Sequence, residues 1–86
     1  MSTSSDFTEL VHEGVRRFAG LEPNTPIDGS KQLKDDLGID SLARIDLVVA
    51  IERRAGIMMP EDLLTTVVTV DDLLAVARSA AAEAAT

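Results

Sequence analysis

The sequence predicts an all-α fold: a small four-helix bundle of three longer helices and one short third helix, with a long first loop. Three observations carry this expectation. Apolar residues recur at helical spacing in three separate segments. Turn-forming residues collect between those segments. The one β-branched run, residues 65–69, has no companion strand elsewhere, so it reads as an extended loop.

Phe7, Leu10, Val11, Val15 and Phe18 fall on one stripe of the first helix. Ser4, Ser5 and Asp6 are candidate N-caps, with Glu9 in the first turn. Gly20 ends the helix, and Pro23 and Pro26 keep it from resuming. Residues 20–37 hold Gly20, Pro23, Asn24, Pro26, Gly29 and Ser30, a loop longer than the usual ~4–6 residues. Leu21, Ile27, Leu33 and Leu37 predict that it packs down on the core. Asp40-Ser41 opens the second helix, which runs to about Ala55 before Gly56. Its apolar residues, Leu42, Ile45, Leu47, Val48, Val49, Ala50 and Ile51, spread over more than one core-facing stripe. In so short a chain that width implies a second client for the helix. Pro60 is placed at the first position of a short helix through Glu61, Asp62, Leu63 and Leu64. Thr69 caps the last helix, Asp71 and Asp72 complement its dipole, and Val70, Leu73, Leu74, Ala77 and Ala80 form its inner stripe. Residues 81–86 are expected to fray.

The length of 86 residues bounds the chain to one domain, expected over residues 1–86 with a core from about 5 to 80. At 45% apolar and 27% charged residues it is neither a disordered tail nor a membrane span. No basic segment followed by an apolar run marks a secretory signal, so a cytoplasmic, free-standing protein is expected. With no Cys, disulfides, thiolate metal sites and thiol catalysis are excluded, and with no Trp or Tyr so are most aromatic platforms for nucleic acid. No metal site is expected, because Asp35, Asp36 and Asp40 do not fit the spacing of a calcium loop. A net charge of −7 disfavours nucleic acid and anionic membranes as partners and favours a basic patch on another protein. Nine acids and three bases lie between residues 35 and 72, so nearly all of the excess charge sits there.

The segment 36–42 places a serine at a helix start. There backbone N–H groups are unpaired and the dipole is positive, a natural seat for a phosphate ester on Ser41. Asp40 can cap the helix beside the hydroxyl, and Gly38 permits close approach by another backbone. A nucleophilic hydrolase fails on parts. The elbow G-x-S-x-G is absent, and the only base available, His12, reads as a solvated surface group.

Leu37-Gly38-Ile39-Asp40-Ser41-Leu42, followed by Ile45-Asp46-Leu47-Val48 and Ile51-Glu52, resembles the acyl carrier protein family. Gly56-Ile57, Met59-Pro60-Glu61 and residues 69–73 extend the resemblance over roughly residues 5–80. The resemblance implies that Ser41 carries a covalent 4′-phosphopantetheine arm, donated from coenzyme A by a Mg²⁺-dependent phosphopantetheinyl transferase. Acyl groups are then held as thioesters on its thiol, so the working sulfur is prosthetic, and the chain is a carrier rather than an enzyme. It further implies a second helix that docks partners through Leu42, Asp46, Val49 and Glu52, with Asp40 beside the arm. Leu47, Ile51 and Ile57 become candidates for an acyl pocket. The implied partners are an acyltransferase, a ketosynthase or other acyl-processing enzymes, met by a monomer in transient complexes. The sequence departs from fatty-acid-type carriers in having Ala43-Arg44 after Leu42 and Arg53-Arg54 after Glu52. A helix so neutralised points to polyketide or related specialised biosynthesis, with partners that read Arg44 or Arg53. The alternatives are a carrier for housekeeping fatty acid synthesis and a non-modified helical adaptor.

Overall fold

The apolar stripes of the sequence come together in a computed structural model that describes the backbone of residues 3–84 and the side chains of residues 7–84. Four helices follow in chain order: α1 (Thr3–Ala19), α2 (Ser41–Ala55), α3 (Glu61–Leu64) and α4 (Val70–Ala84). Among the described residues there is no strand, only an isolated antiparallel bridge between Gln32 and Thr69. That bridge gives the β-branched run at 65–69 the companion its sequence lacks. None of the helices is long and apolar enough to cross a membrane among the described residues.

Each long helix gives residues to the core; of the expected α1 stripe, Phe7, Leu10 and Phe18 are only partly buried against it. Val11 and Val15 come from α1, Leu47, Val48 and Ile51 from α2, and Val70, Leu73, Leu74, Ala77 and Ala80 from α4. Leu33, Ile39, Met59 and Val67 close the core from the loops. Gly14 lets α1 and α2 approach, since a Cβ there would stand 3.1 Å from Leu47 Cδ1. An added methyl would press on a close-packed side chain with little room to move.

Several helix ends differ from expectation. α1 starts at Thr3, ahead of Ser4, Ser5 and Asp6, whose proposed capping side chains lie outside the described residues. Pro60 is the N-cap of α3 rather than its first residue, with φ −64° and ψ 132°. α4 continues through Ala84, past the start of the expected fraying at Ala81, and residues 85–86 lie outside the described residues. Its N-terminus carries reciprocal caps. The Asp72 N–H donates to Thr69 Oγ1 at 3.1 Å, and Asp72 Oδ2 accepts from the Val68 and Thr69 N–H groups, each at 3.0 Å. Those two N–H groups, Thr69 first, hold the Asp72 carboxyl below its ordinary value.

Of the residues expected to pack the first loop down, Leu33 is buried and Ile27 and Leu37 are partly buried against the core, whereas Leu21 is exposed; polar contacts do the rest. Arg16 is buried. Its Nε donates to the Thr25 carbonyl and its Nη1 to Glu9 Oε1, both at 2.5 Å, so the charged head is paired where it leaves water. Farther on, Asp71 donates its N–H to the Gly29 carbonyl at 2.9 Å, and Val70 to the Lys31 carbonyl at 3.1 Å. A Cβ on Gly29 would fall on the Asp71 carboxylate. A side chain there would make the exposed Asp71 carboxylate swing aside.

His12, expected on the surface, is half-buried, and its buried Nε2 has no hydrogen-bond partner. Burial pushes its pKa below 6.5; Arg16 and Arg78 push the same way, while Glu9 and Asp71 oppose them. The folded state therefore favours the neutral imidazole. Its contribution to stability is intact above pH 6.5 and is lost as the pH falls through the lowered folded pKa. Urea denaturation of the wild type and His12→Gln across this range should show the wild type losing stability faster on acidification; parallel curves would contradict the burial argument. In the same assay Leu47→Ala should cost about 2–5 kcal/mol, whereas Leu42→Ala on the exposed side should stay within about 0.5 kcal/mol.

Candidate functional site

The seat of Ser41 is built from the loop that precedes it. The N–H groups of Asp36 and Leu37 both donate to the Gln32 carbonyl, at 3.0 and 3.1 Å, and Asp36 Oδ2 accepts from the Gln32 N–H at 2.8 Å. This closed turn ends at Gly38, whose φ of +70° is the left-handed conformation that glycine adopts without strain. A Cβ there would meet nothing within 4 Å, so backbone conformation, not crowding, favours glycine. Ile39 then drives its side chain into the core and donates its N–H to the Leu33 carbonyl at 2.7 Å. Leu33 in turn donates to the Val68 carbonyl at 2.9 Å, tying the first loop to the segment before α4.

On this platform Asp40 caps α2. Its Oδ1 accepts from the Ala43 N–H at 2.9 Å and its carbonyl from the Arg44 N–H at 2.8 Å. Ser41 is the first helical residue. It is exposed, and its hydroxyl has no hydrogen-bond partner among the described residues. A groove of about 310 Å³ opens beside it, lined among others by Ser41, Gln32, Lys34, Asp35, Arg44 and Val68. Lys34, Arg44, a free hydroxyl and the positive end of a helix suit a phosphodiester and outweigh the one opposing charge of the lining, Asp35, so these residues fit the phosphopantetheine group that the sequence resemblance implies.

α2 presents apolar residues on a second side, as its width predicts. Leu42 is 76% exposed, Ile45 59% and Val49 38%, and Met58 beyond the helix is 85% exposed. Asp46 is exposed as well. Glu52, expected on the exposed docking face, is half-buried, and its Oε2 accepts the Met59 N–H at 2.8 Å. Arg44 is also half-buried and donates from Nη1 to the Val67 carbonyl at 2.9 Å. Arg54 pairs with Glu13 across to α1 at 3.1 Å. Arg53 alone of these three arginines is exposed and has no partner among the described residues.

A second groove, of about 490 Å³, runs between α2 and α3. Ile45, Val48, Val49, Met58 and Leu64 give it an apolar floor, and Arg44, Glu52 and Glu61 stand at its edges. The residues expected to line an acyl pocket are not among its lining. Leu47 and Ile51 are buried toward Gly14 of α1, and Ile57 packs against the core from the loop. The lining that sequence reasoning missed is the stripe Ile45, Val48, Val49 and Glu52, at helical spacing on another side of α2. Separating the apolar residues of α2 into two stripes would have found it.

Residues 4–77 match the family model for the phosphopantetheine attachment site. The acyl carrier protein of Rhodopseudomonas palustris (strain BisB18) is 40% identical over 68 residues, 79% of this chain and 85% of its own length. That of Bradyrhizobium sp. (strain ORS 278) is 38% identical over the same shares of both chains.

The geometry around Ser41 separates two roles of Asp40. Asp40→Ala should lose about 1 kcal/mol of stability with the cap, whereas Asp40→Asn should lose little, because an amide oxygen caps nearly as well. Thermal unfolding of both variants checks this; equal losses would mean that charge, not capping, is what Asp40 supplies.

Proposed function

This chain belongs to the phosphopantetheine-attachment family of acyl carrier proteins, and from that premise we propose that Ser41 is the residue that bears its covalently attached 4′-phosphopantetheine. The observation that carries the assignment is the unpartnered, exposed Ser41 hydroxyl at the first residue of a capped helix, beside Lys34 and Arg44. When bound, the group supplies a thiol on which acyl groups are held as thioesters.

The chain's own residues do the rest. Asp40 fixes the first turn of α2, so the Ser41 Oγ is offered in one orientation. Gly38 and Ile39 hold the approach to it. In the transfer, a phosphopantetheinyl transferase would take the hydroxyl proton as Ser41 Oγ bonds to the phosphorus that bears the pantetheine, the pyrophosphate bond of coenzyme A breaking and the adenosine bisphosphate portion leaving; Lys34, Arg44 and the positive helix end would hold the anionic ester. Leu42, Asp46 and Val49 form the exposed apolar and acidic surface offered to acyl-processing partners, by a monomer in transient encounters. Nothing in the reading asks the chain to catalyse a reaction itself.

The pathway reading rests on charge. From Asp40 to Arg54 three acids face three arginines. Glu52 is engaged with Met59 and Arg44 with Val67, so the free charges of the docking face are Asp46 and Arg53. That mixed pair suits a partner presenting an acidic group to Arg53, as in a dedicated polyketide or related specialised assembly line, better than a partner with a wholly basic patch.

Incubation with coenzyme A and a broad-specificity transferase should add the arm to the wild type at Ser41 and to no site in Ser41→Ala. A modified Ser41→Ala chain would refute the assignment, and an unmodified wild type would favour the helical adaptor. Arg53→Glu should slow transfer by the cognate partner roughly fivefold at low salt, with the difference shrinking as salt rises. If housekeeping fatty-acid enzymes use the wild type as readily as their own carrier, the specialised pathway is excluded.

A further inference from the structure

The side of α2 that turns away from the core carries charged and apolar groups in a fixed order. Leu42, Asp46, Val49 and Arg53 stand at i, i+4, i+7 and i+11, so they fall on one face of the helix, with Ile45 beside them. All five are exposed, and Asp46 and Arg53 have no partner among the described residues. Past the end of α2, Met58 is 85% exposed and borders the groove that Ile45 and Val49 also line. The face is acidic toward the start of the helix, basic toward its end, and apolar at its middle and both extremities.

That order is its own complement when reversed. With a second α2 turned end for end about an axis level with Val49, each Asp46 comes opposite the other copy's Arg53. Val49 then meets Val49, and Leu42 reaches the other copy's Met58. One register satisfies all three matches: the midpoint of 46 and 53, the midpoint of 42 and 58, and position 49 itself fall within one residue, about 1.5 Å along the axis. A parallel pairing would instead set Asp46 against Asp46 and Arg53 against Arg53.

We propose that this face of α2 docks a second copy of the chain, the two helices packing antiparallel about a two-fold axis at Val49. Such an interface is isologous, so every contact is made twice. The apolar groups leave water together and supply the affinity, while the two Asp46–Arg53 pairs fix direction and register. The charge of −7 on each copy opposes the approach. Association is therefore weak and reversible, and the single chain is the form present when the protein is dilute. The pair covers side chains also offered to acyl-processing partners, so self-association and partner docking exclude each other. Attachment at Ser41 is not required, and the bare chain associates through the same face.

The test dilutes the full chain, without any arm, from about 1 mM to about 20 µM, and follows amide resonances and sedimentation equilibrium. Sedimentation should show monomer and dimer in equilibrium with no larger species. The resonances that move on dilution should centre on Leu42, Asp46, Val49, Arg53 and Met58. Arg53→Glu and Asp46→Lys each set like charges opposite one another, and each should weaken association roughly tenfold. An equimolar mixture of the two variants should recover it, because every charge then meets its opposite across the pair. A chain that stays monomeric throughout, with these amides moved only by an acyl-processing enzyme, would overturn the proposal and leave the face to such partners. Shifts centred elsewhere, larger assemblies, or a mixture that associates no better than its separate variants would overturn it as well.

Discussion

The hydrogen bond from the Leu33 N–H to the Val68 carbonyl, continued by Ile39 to Leu33, is the tie on which the site depends. It joins a loop of the first half of the chain to the segment that leads into α4. Without it, residues 34–40 would be a tether, and Ser41 would ride on a helix end with no fixed approach. With it, the buried side chains of Leu33, Ile39 and Val67 become one block beneath the start of α2. Arg44 adds a second strap from the first turn of α2 to the same segment. The Ser41 hydroxyl is then exposed while the backbone carrying it stays in register, as the attachment proposed there requires. Such a division between a mobile cargo and a stationary point of attachment suits a chain whose client enzymes must each find the same atom in the same place.

Much of the fold was legible because it rests on local rules. The bounds of α2 follow from Asp40 as cap and Gly56 as left-handed terminator, both visible as residue types at the ends of an apolar segment. The inner stripe of α4 is buried at every position that periodicity marks. Ser41 as the first helical residue was legible for the same reason. What was not legible depends on contacts between distant segments. The Gln32–Thr69 bridge joins residues with no shared pattern, so residues 65–69 read as an unsupported loop. His12 lies on α1 beside the expected stripe, and the helix alone gives no sign that it is half-buried.

The site was read less fully than the fold. Naming Leu47 and Ile51 as pocket candidates put the groove on the wrong side of α2: these two face Gly14 of α1, whereas Ile45, Val48 and Val49 line the groove toward α3. The arginines show the same limit. Arg44, Arg53 and Arg54 look equivalent as letters on one helix, yet one is a strap, one is free and one is paired across to α1. Long-range partners set those roles, so the neutrality of α2 persists on its exposed face with fewer charges than the sequence counts. Glu52, drawn inward by the Met59 N–H, leaves Asp46 and Arg53 as the exposed, unpartnered charges on that side of α2 among the described residues.

The claim that a laced loop holds Ser41 in place is tested most directly by native-state amide hydrogen exchange. The N–H groups of Leu33, Ile39 and Val70 should exchange only through global unfolding, with the same protection and the same denaturant dependence as the N–H of Ile51 in the middle of α2. Rapid, denaturant-independent exchange at those three positions, with α2 still protected, would mean that the loop opens by itself and that Ser41 has no fixed seat.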